Sequence, residues 1–370
     1  MGTKLDARSP GAGYLGAMAA EKLDVTFCQV KPIGDLCMRP SWKQHGTVTG
    51  RYSAGDPNLM NVPAWLRKMY EAPKGWKLVG ADYSAVELWV VAIYTQSLNL
   101  LEALRSGDVH RNNCENLFKI SFEAILRESV STELLWSGDR SDPRNSHASL
   151  REEEFTLVEV NPKKFRLDLH IAPGPRYNAA IAAYEAAWDK LQGLRTRAKG
   201  FVFAGNYRGG AGMILNKMLP FAPEMTLYDI IALQEQWRAL NPNIFAKPDI
   251  NMDVYYRRLK THGVGWVTGP FGRRRYWADQ TVKITDVANF PIQSGAGYIV
   301  NEAMIRIGPK IKALGGHLVA QIHDAFYVMV PEDNAEQAKV VLETEMPGKY
   351  TFQDGLAGEW SFPVEAKIGQ

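Results

Sequence analysis

The chain has 370 residues, 46% hydrophobic and 22% charged, which is enough to bury two or three cores and excludes a largely disordered protein. Its net charge is only +3, so global charge does not mark a nucleic-acid binder. The longest apolar stretch, Leu88 to Leu101, carries Gln96, Ser97 and Asn99, so no membrane span is expected.

Residues 1–45 are punctuated by Gly and Pro and read as a linker with a short β-ribbon around Val25–Val30 and Leu36–Met38. Trp76 to Ala81 reads as a strand leading into Asp82. Ser84 to Ser97 has apolar residues at helical spacing, at Val86, Val90, Ile93 and Tyr94. Residues 131–177 are rich in Ser, Asp, Arg, Pro and Glu and read as an exposed insertion, most plainly at Ser137–Ser146. Tyr177 to Met218 is mostly helical, and Thr226 to Leu240 is an amphipathic helix that Pro242 stops. Gly265 to Gly272 suggests two strands around a turn. Ile292 to Ile307 is a helix that Pro309 breaks. His317–Ile322 and Ala325–Val330 flank His323-Asp324 as a tight hairpin, and Ala335–Glu345 is the last helix. This order implies an α+β fold, not a doubly wound parallel sheet. Cys28, Cys37 and Cys114 are odd in number and form no C-x-x-C pair, which suits a reducing compartment and argues against a zinc site.

Two basic stretches stand out. Lys190 to Ala222 and Tyr255 to Ala278 each hold six Lys or Arg and no acid, with aromatic residues interleaved. Such stretches hold phosphates and stack on bases, though each alone reads equally as a solvated face. Asp82 ends a strand, and Asp324 sits in a hairpin turn 242 positions later. Two strand-end carboxylates suit a pair of divalent ions, with the Tyr83 carbonyl as a further hard oxygen ligand. Each Asp alone reads as well as a turn residue. Arg195, Lys199, Phe203 and Tyr207 recur every four residues, so they drift by only about 40° per step along one side of a helix. Cations at one end can meet a triphosphate, and rings at the other can pack on a sugar and base.

These segments resemble DNA polymerase family A. Thr47-Val-Thr-Gly-Arg51 through Asp56-Pro-Asn58-Leu-Met-Asn61 resembles the family's T-x-T-G-R…D-P-N-L-Q-N segment. Asp82-Tyr-Ser-Ala-Val-Glu87-Leu resembles motif A, and Asp108-Val-His110 the D-I-H after it. The Arg195 to Tyr207 stripe resembles motif B of the fingers. Phe271–Tyr276 and Asn289–Gln293 resemble the segments between motifs B and C, and Gln321-Ile-His323-Asp324 resembles motif C. The matches come in family order over about residues 46–370.

The resemblance implies a right-hand polymerase with an antiparallel-sheet palm and helical fingers. Residues 46–110 and 261–370 would be palm, and 111–260 fingers. It implies that Asp82, Tyr83 and Asp324 hold two Mg²⁺ ions, with Mn²⁺ as a substitute. Glu87, with Tyr207 beside it, would exclude a 2′-hydroxyl. Arg195 and Lys199 would grip the triphosphate of the dNTP, His110 would also bind the nucleotide, and Phe203 would face its sugar. Arg51, Asn58, Asn289, Gln293 and His323 would track the primer–template DNA. The expected setting is the cytoplasm of a bacterium or of a virus-infected host cell.

Some residues depart from the family pattern. Ala325 stands where a Glu usually follows motif C, Trp89 replaces an Arg, Met60 replaces a Gln, and Arg208 replaces a Gly. Between His110 and Arg195 lie 84 residues, more than usual. With only 45 residues before Gly46, the thumb is expected to be largely absent and the first 45 residues to be a residual thumb base. The chain would then be a fragment, or one half of a split polymerase whose thumb or exonuclease sits on a separate polypeptide. The alternatives are a non-catalytic or weakly active nucleic-acid-binding subunit and a single-subunit RNA polymerase. Glu87 argues against the RNA polymerase, and retention of Asp82 and Asp324 argues against the non-catalytic subunit.

Overall fold

A computed structural model describes residues 39–44, 46–56, 58–62, 70–131, 150–219, 224–278 and 282–369. The ribbon expected at 25–38 and the loop at Ser137–Ser146 lie outside these residues.

The first strands, β1 (Ser41–Lys43) and β2 (Ser53–Gly55), pair antiparallel. Next comes β3 (Trp76–Tyr83), the expected strand, with Asp82 as its penultimate residue. The helices α1 (Val86–Thr95) and α2 (Leu98–Arg105) divide the long apolar stretch at Gln96, whose φ of 58° ends the first helix. α1 is buried along nearly its whole length, as expected for a helix apolar all round. Among the described residues no helix is long and apolar enough to cross a membrane. α3 (Val109–Phe118) and α4 (Phe122–Ser131) follow.

Part of the stretch expected to be an insertion folds as a hairpin, β4 (Phe155–Asn161) and β5 (Lys164–Leu169). Its apolar residues alternate, and Phe155, Leu157 and Phe165 are buried. The 32-residue α5 (Pro175–Asn206) carries Arg195, Lys199 and Phe203 of the stripe, with Tyr207 as its C-cap, and α6 (Ala211–Met218) follows it. α7 (Leu227–Leu240) starts at a capping box in which Thr226 and Asp229 satisfy each other's backbone N–H. Pro242 then opens a further helix, α8 (Pro242–His262), which the sequence pattern did not reveal. Proline at the first helical position loses no helical hydrogen bond, so here it marks a start and not only a stop.

β6 (Gly265–Thr268) and β7 (Arg274–Trp277) form a hairpin, with the second strand later than expected. α9 (Ile284–Ala313) runs through both Pro291 and Pro309. Pro309 is exposed, so the carbonyl it leaves free faces water, while Ala303, Ile307 and Ile311 hold the other face in the core. β8 (His317–Ile322), β9 (Ala325–Pro331) and α10 (Ala335–Glu345) follow as expected. The last strands are β10 (Tyr350–Thr351), β11 (Glu359–Trp360) and β12 (Val364–Ile368).

The four-stranded sheet is antiparallel, in the order β12-β3-β9-β8. α10 packs on β12, β3 and β9, and α9 packs on α10, α1 and β8. One continuous core joins this sheet to α1, α9 and the helices from α2 to α7. The α+β class is as expected.

The end of α5 explains one departure from the family pattern. Arg208 N–H bonds the Gly205 carbonyl at 3.0 Å, and Gly209 N–H the Ala204 carbonyl at 2.9 Å. This is a Schellman ending, which places Arg208 at the left-handed position (φ 60°) that usually takes Gly. The guanidinium offsets that strain by donating to the Phe245 carbonyl, pairing with Asp249 at 2.9 Å and covering the Phe245 ring at 4.7 Å. Arg208→Ala and Arg208→Gly both lose these contacts, but only Gly removes the strain. In denaturant unfolding the Gly variant is therefore expected to be about 1 kcal/mol more stable than the Ala variant.

Candidate active site

Asp82 and Asp324 meet because β3 pairs with β9. The register sets Asp82 opposite Ala325, the residue after Asp324, and on its other flank opposite Glu365 of β12. The two-residue turn His323-Asp324 closes β8 onto β9, with His323 at a φ of 55°. Tyr83 anchors the strand end: its side chain is buried and its hydroxyl donates to the Met346 carbonyl at 2.5 Å. Burial pushes the Tyr83 phenol far up. The chain then turns through Ala85, also left-handed (φ 59°), into α1. That sharp turn places Glu87 in the first turn of the helix, facing the strand end.

Glu87 is the hub of a charged cluster. Arg51 pairs with Glu87 and lies 3.7 Å from Asp324. The Tyr207 hydroxyl donates to Glu87 Oε2 at 2.5 Å. Burial, and then Glu87, raises the Tyr207 phenol well above its ordinary value, so it stays a donor. The Arg51 loop lies close against α9, where small residues admit it. A Cβ on Gly297 would stand 3.2 Å from the Arg51 side chain and 3.3 Å from the Thr49 carbonyl. Asn301 also donates to the Gly50 carbonyl at 3.0 Å.

The α5 stripe meets the facing segments in step. Arg195 makes a two-point pair with Asp108, both contacts at 2.9 Å. Lys199 is exposed. Phe203 tilts against the His110 ring, with centroids 6.3 Å apart, and Tyr207 reaches Glu87. Asp108 was not among the expected site residues. It caps α3 by accepting from the His110 and Arg111 amides, and it neutralises the cation expected to bind triphosphate. Burial, then Lys199 and Arg195, lowers the His110 imidazole to about 4, so it is neutral near pH 7. Its Nδ1 is buried with no hydrogen-bond partner among the described residues.

The charge of His323, next to Asp324 in the turn, acts on Asp82. The Asn58 side chain accepts from Met60 N–H at 3.2 Å and caps a short 3₁₀ turn. Asn289 and Gln293 sit one turn apart on α9, and His323 is exposed at its turn. Trp89 is 8% exposed and packs edge-on to Phe362 at 6.4 Å, so the Arg-to-Trp departure serves the core. Much of the basic character is spent locally. Arg197 pairs with Glu224 at 3.4 Å, while Arg258 and Arg275 lie over Trp266 and Trp277. Cys114 is buried, and its thiol is pushed up to about 12, out of reach of thiolate chemistry.

Among the described residues no group of three or more His, Cys, Asp and Glu side chains forms a ready metal cage. Asp82, Asp324 and the Tyr83 carbonyl nevertheless form a set of hard oxygens with two carboxylates. That suits Mg²⁺, which takes one or two carboxylates and completes its shell with water and substrate phosphates. The acids are under-compensated. Burial pushes the Asp324 carboxyl up to about 6, with Glu87 and Asp82 adding to the rise and Arg51 opposing it. Burial by the cleft walls also raises Asp82, against the Tyr83 backbone hydrogen bond and Lys199.

A raised acid pKa favours the folded state only while the group stays protonated. The Asp324 contribution is present below pH 4 and is lost as pH rises to about 6. In metal-free buffer above pH 6, Asp324→Asn is expected to be more stable than wild type by about 1–3 kcal/mol, with the difference vanishing below about pH 4. Thermal unfolding across that range measures it; equal stability of the two chains at pH 8 would contradict the crowding of these carboxylates.

Comparison with known proteins gives the family. The family model for DNA polymerase family A matches residues 19–131 and 251–370. The thermostable DNA polymerase I of Thermus filiformis is 24% identical over 343 residues, covering 89% of this chain and 31% of that protein. DNA polymerase I of Chloroflexus aurantiacus is 24% identical over 327 residues, covering 84% of this chain and 26% of its own. The chain thus spans about a third of the length of the curated relatives it matches. Among solved structures, the POL domain of Pol1 from M. smegmatis, in complex with DNA primer-template and dNTP, superposes with a TM-score of 0.65 at 20% identity. That match covers 97% of this chain and 53% of that one. A family model matching well over half of the residues places this chain in DNA polymerase family A.

Proposed function

We propose that this chain adds deoxynucleotides to a primer 3′ end under the direction of a template strand. The observation that carries the reading is the meeting of Asp82 and Asp324 through β3–β9 pairing, with Glu87 locked beside them by Tyr207 and Arg51. The relatives' names and the nucleic-acid complex of the solved neighbour support it.

Two Mg²⁺ ions, or Mn²⁺ in their place, held by Asp82, Asp324 and the Tyr83 carbonyl, would neutralise charge on the attacking and leaving oxygens. The remaining work falls to the chain itself. Lys199 is exposed and close enough to act on both Asp82 and His110, so it is the cation open to a triphosphate. Neutral His110 offers a buried ring nitrogen on the same side. Arg195 joins them only if phosphate oxygens replace its two bonds from Asp108. Glu87, fixed at both oxygens, fills the space a 2′-hydroxyl would need, and Phe203 lines the sugar. Arg51, Asn58, Asn289, Gln293 and His323 contact the primer–template. In this reading 46–110 and 261–370 are palm and 111–260 fingers.

Primer extension in Mg²⁺ tests the reading. Asp82→Asn and Asp324→Asn are each expected to lower the rate by about 100-fold or more, because an amide cannot supply the anion. Circular dichroism is expected to be unchanged. Near wild-type extension by either variant would contradict the site. Removing the blocking side chain in Glu87→Ala is expected to raise ribonucleotide incorporation by about tenfold or more. Unchanged sugar discrimination in a running-start assay would remove Glu87 from the sugar.

A further inference from the structure

The β4–β5 hairpin contributes nothing to the carboxylate cluster, yet it is built onto the same cleft. Next to its turn it is fixed on α5: Phe165 is buried edge-on to Trp188 at 6.3 Å, and Tyr184 donates to the Phe165 carbonyl at 2.8 Å. Its tip, Pro162-Lys163, is closed by the Asn161 side chain accepting from Lys163 N–H at 2.9 Å. That tip presses on the segment that carries His110. Gly107 has a φ of 93°, and a Cβ there would lie 2.7 Å from the Pro162 ring. Arg111 clamps the same contact, donating to the Pro162 carbonyl at 3.4 Å and pairing with Glu159 at 2.9 Å.

This docking holds the exposed Lys163 beside the segment that carries His110. Its charge is felt at His110 and at Glu365, the cross-strand neighbour of Asp82. Lys199 is felt at His110 and at Asp82 itself. Both lysines therefore act on His110, and each also acts on one of the paired strand residues Asp82 and Glu365. Glu365 is already paired with Lys367 at 3.0 Å, and neither Lys163 nor Lys199 makes an ion pair among the described residues. Two ammonium groups held in no ion pair, with a buried, unpartnered imidazole nitrogen near both, suit a compact polyanion.

We propose that the hairpin is a third wall of the nucleotide site, and that Lys163 binds the β- and γ-phosphates of the incoming nucleotide and then the pyrophosphate product. This rests on the polymerase reading above. A lysine acts here as a movable point charge, suited to an anion that must leave after each addition.

Steady-state extension and direct pyrophosphate binding together test it. Lys163→Ala is expected to raise the KM for dNTP by about five- to tenfold with kcat within about twofold, and to weaken pyrophosphate inhibition by a similar factor. Lys163→Glu is expected to do more. Lys164→Ala, on the next residue of the same hairpin, is expected to match wild type, as is the affinity of all three variants for primer–template. An active wild type with unchanged KM and pyrophosphate inhibition in Lys163→Ala would overturn the inference. So would a loss confined to primer–template affinity, which would make the hairpin a DNA contact. Calorimetric binding of inorganic pyrophosphate separates the two proposals. If wild type does not extend primers, the polymerase reading fails. The anion site then stands or falls on whether Lys163→Ala weakens pyrophosphate binding.

Discussion

The pairing of β3 with β9 is the constraint on which the rest depends. Seven consecutive residue pairs, from Trp76–Pro331 to Asp82–Ala325, zip two strands that lie far apart in sequence. Their register follows from alternation. Val79 and Ala81 on one strand, and Val328 and Phe326 opposite them, are buried on one face. A slip of one residue would turn that set into solvent, so it is disfavoured by the loss of several buried side chains. Gly80 belongs to the same design, because a Cβ there would stand 3.1 Å from the Tyr327 ring. Once the register is fixed, Asp82 has no choice but to stand beside the hairpin turn that bears Asp324. The approach of these two carboxylates is a by-product of hydrophobic register.

That register creates an electrostatic imbalance. Asp82, Asp324 and Glu87 converge, and Arg51 is the cation that reaches two of them. Burial raises both the Asp324 carboxyl and the Tyr207 phenol, and the neighbouring carboxylates add to each rise. A site of this kind costs stability and gains it back when cations and a polyphosphate arrive. The fixed positions are held from outside: Tyr83 by Met346, the Arg51 loop by Gly297 and Asn301, Glu87 by Tyr207. Helix α5 reads this arrangement at three levels, through Arg195, Phe203 and Tyr207, so a shift of one helix is felt along the whole cleft.

Much of this is legible in the sequence. The strand before Asp82, the hairpin around Asp324 and helix α10 follow directly from alternation, turn residues and helical spacing. The four-residue stripe correctly implies one face of one helix. The failures have identifiable causes. Pro242 reads as an end, although proline at a first helical position also starts a helix, and α8 is lost. Pro309 reads as a break, although an exposed proline can leave its free carbonyl to water. Polar composition hides the β4–β5 hairpin, although Phe155 and Leu157 alternate, as do Phe165, Leu167 and Leu169. The Arg195–Asp108 pair spans 87 positions and has no local signal, so the sequence assigns Arg195 a type but not a partner. Glu365 is invisible for the same reason: only the sheet order makes it a neighbour of Asp82.

The central claim is that β3–β9 pairing builds a divalent-cation site from Asp82 and Asp324. Titration of Mn²⁺ into the chain, followed by electron paramagnetic resonance with primer–template and a dNTP present and the primer 3′ end blocked, tests it most directly. Binding is expected to weaken by about tenfold or more in Asp82→Asn and again in Asp324→Asn, with the fold intact in both. Mn²⁺ affinity and stoichiometry equal to wild type in either variant would contradict it.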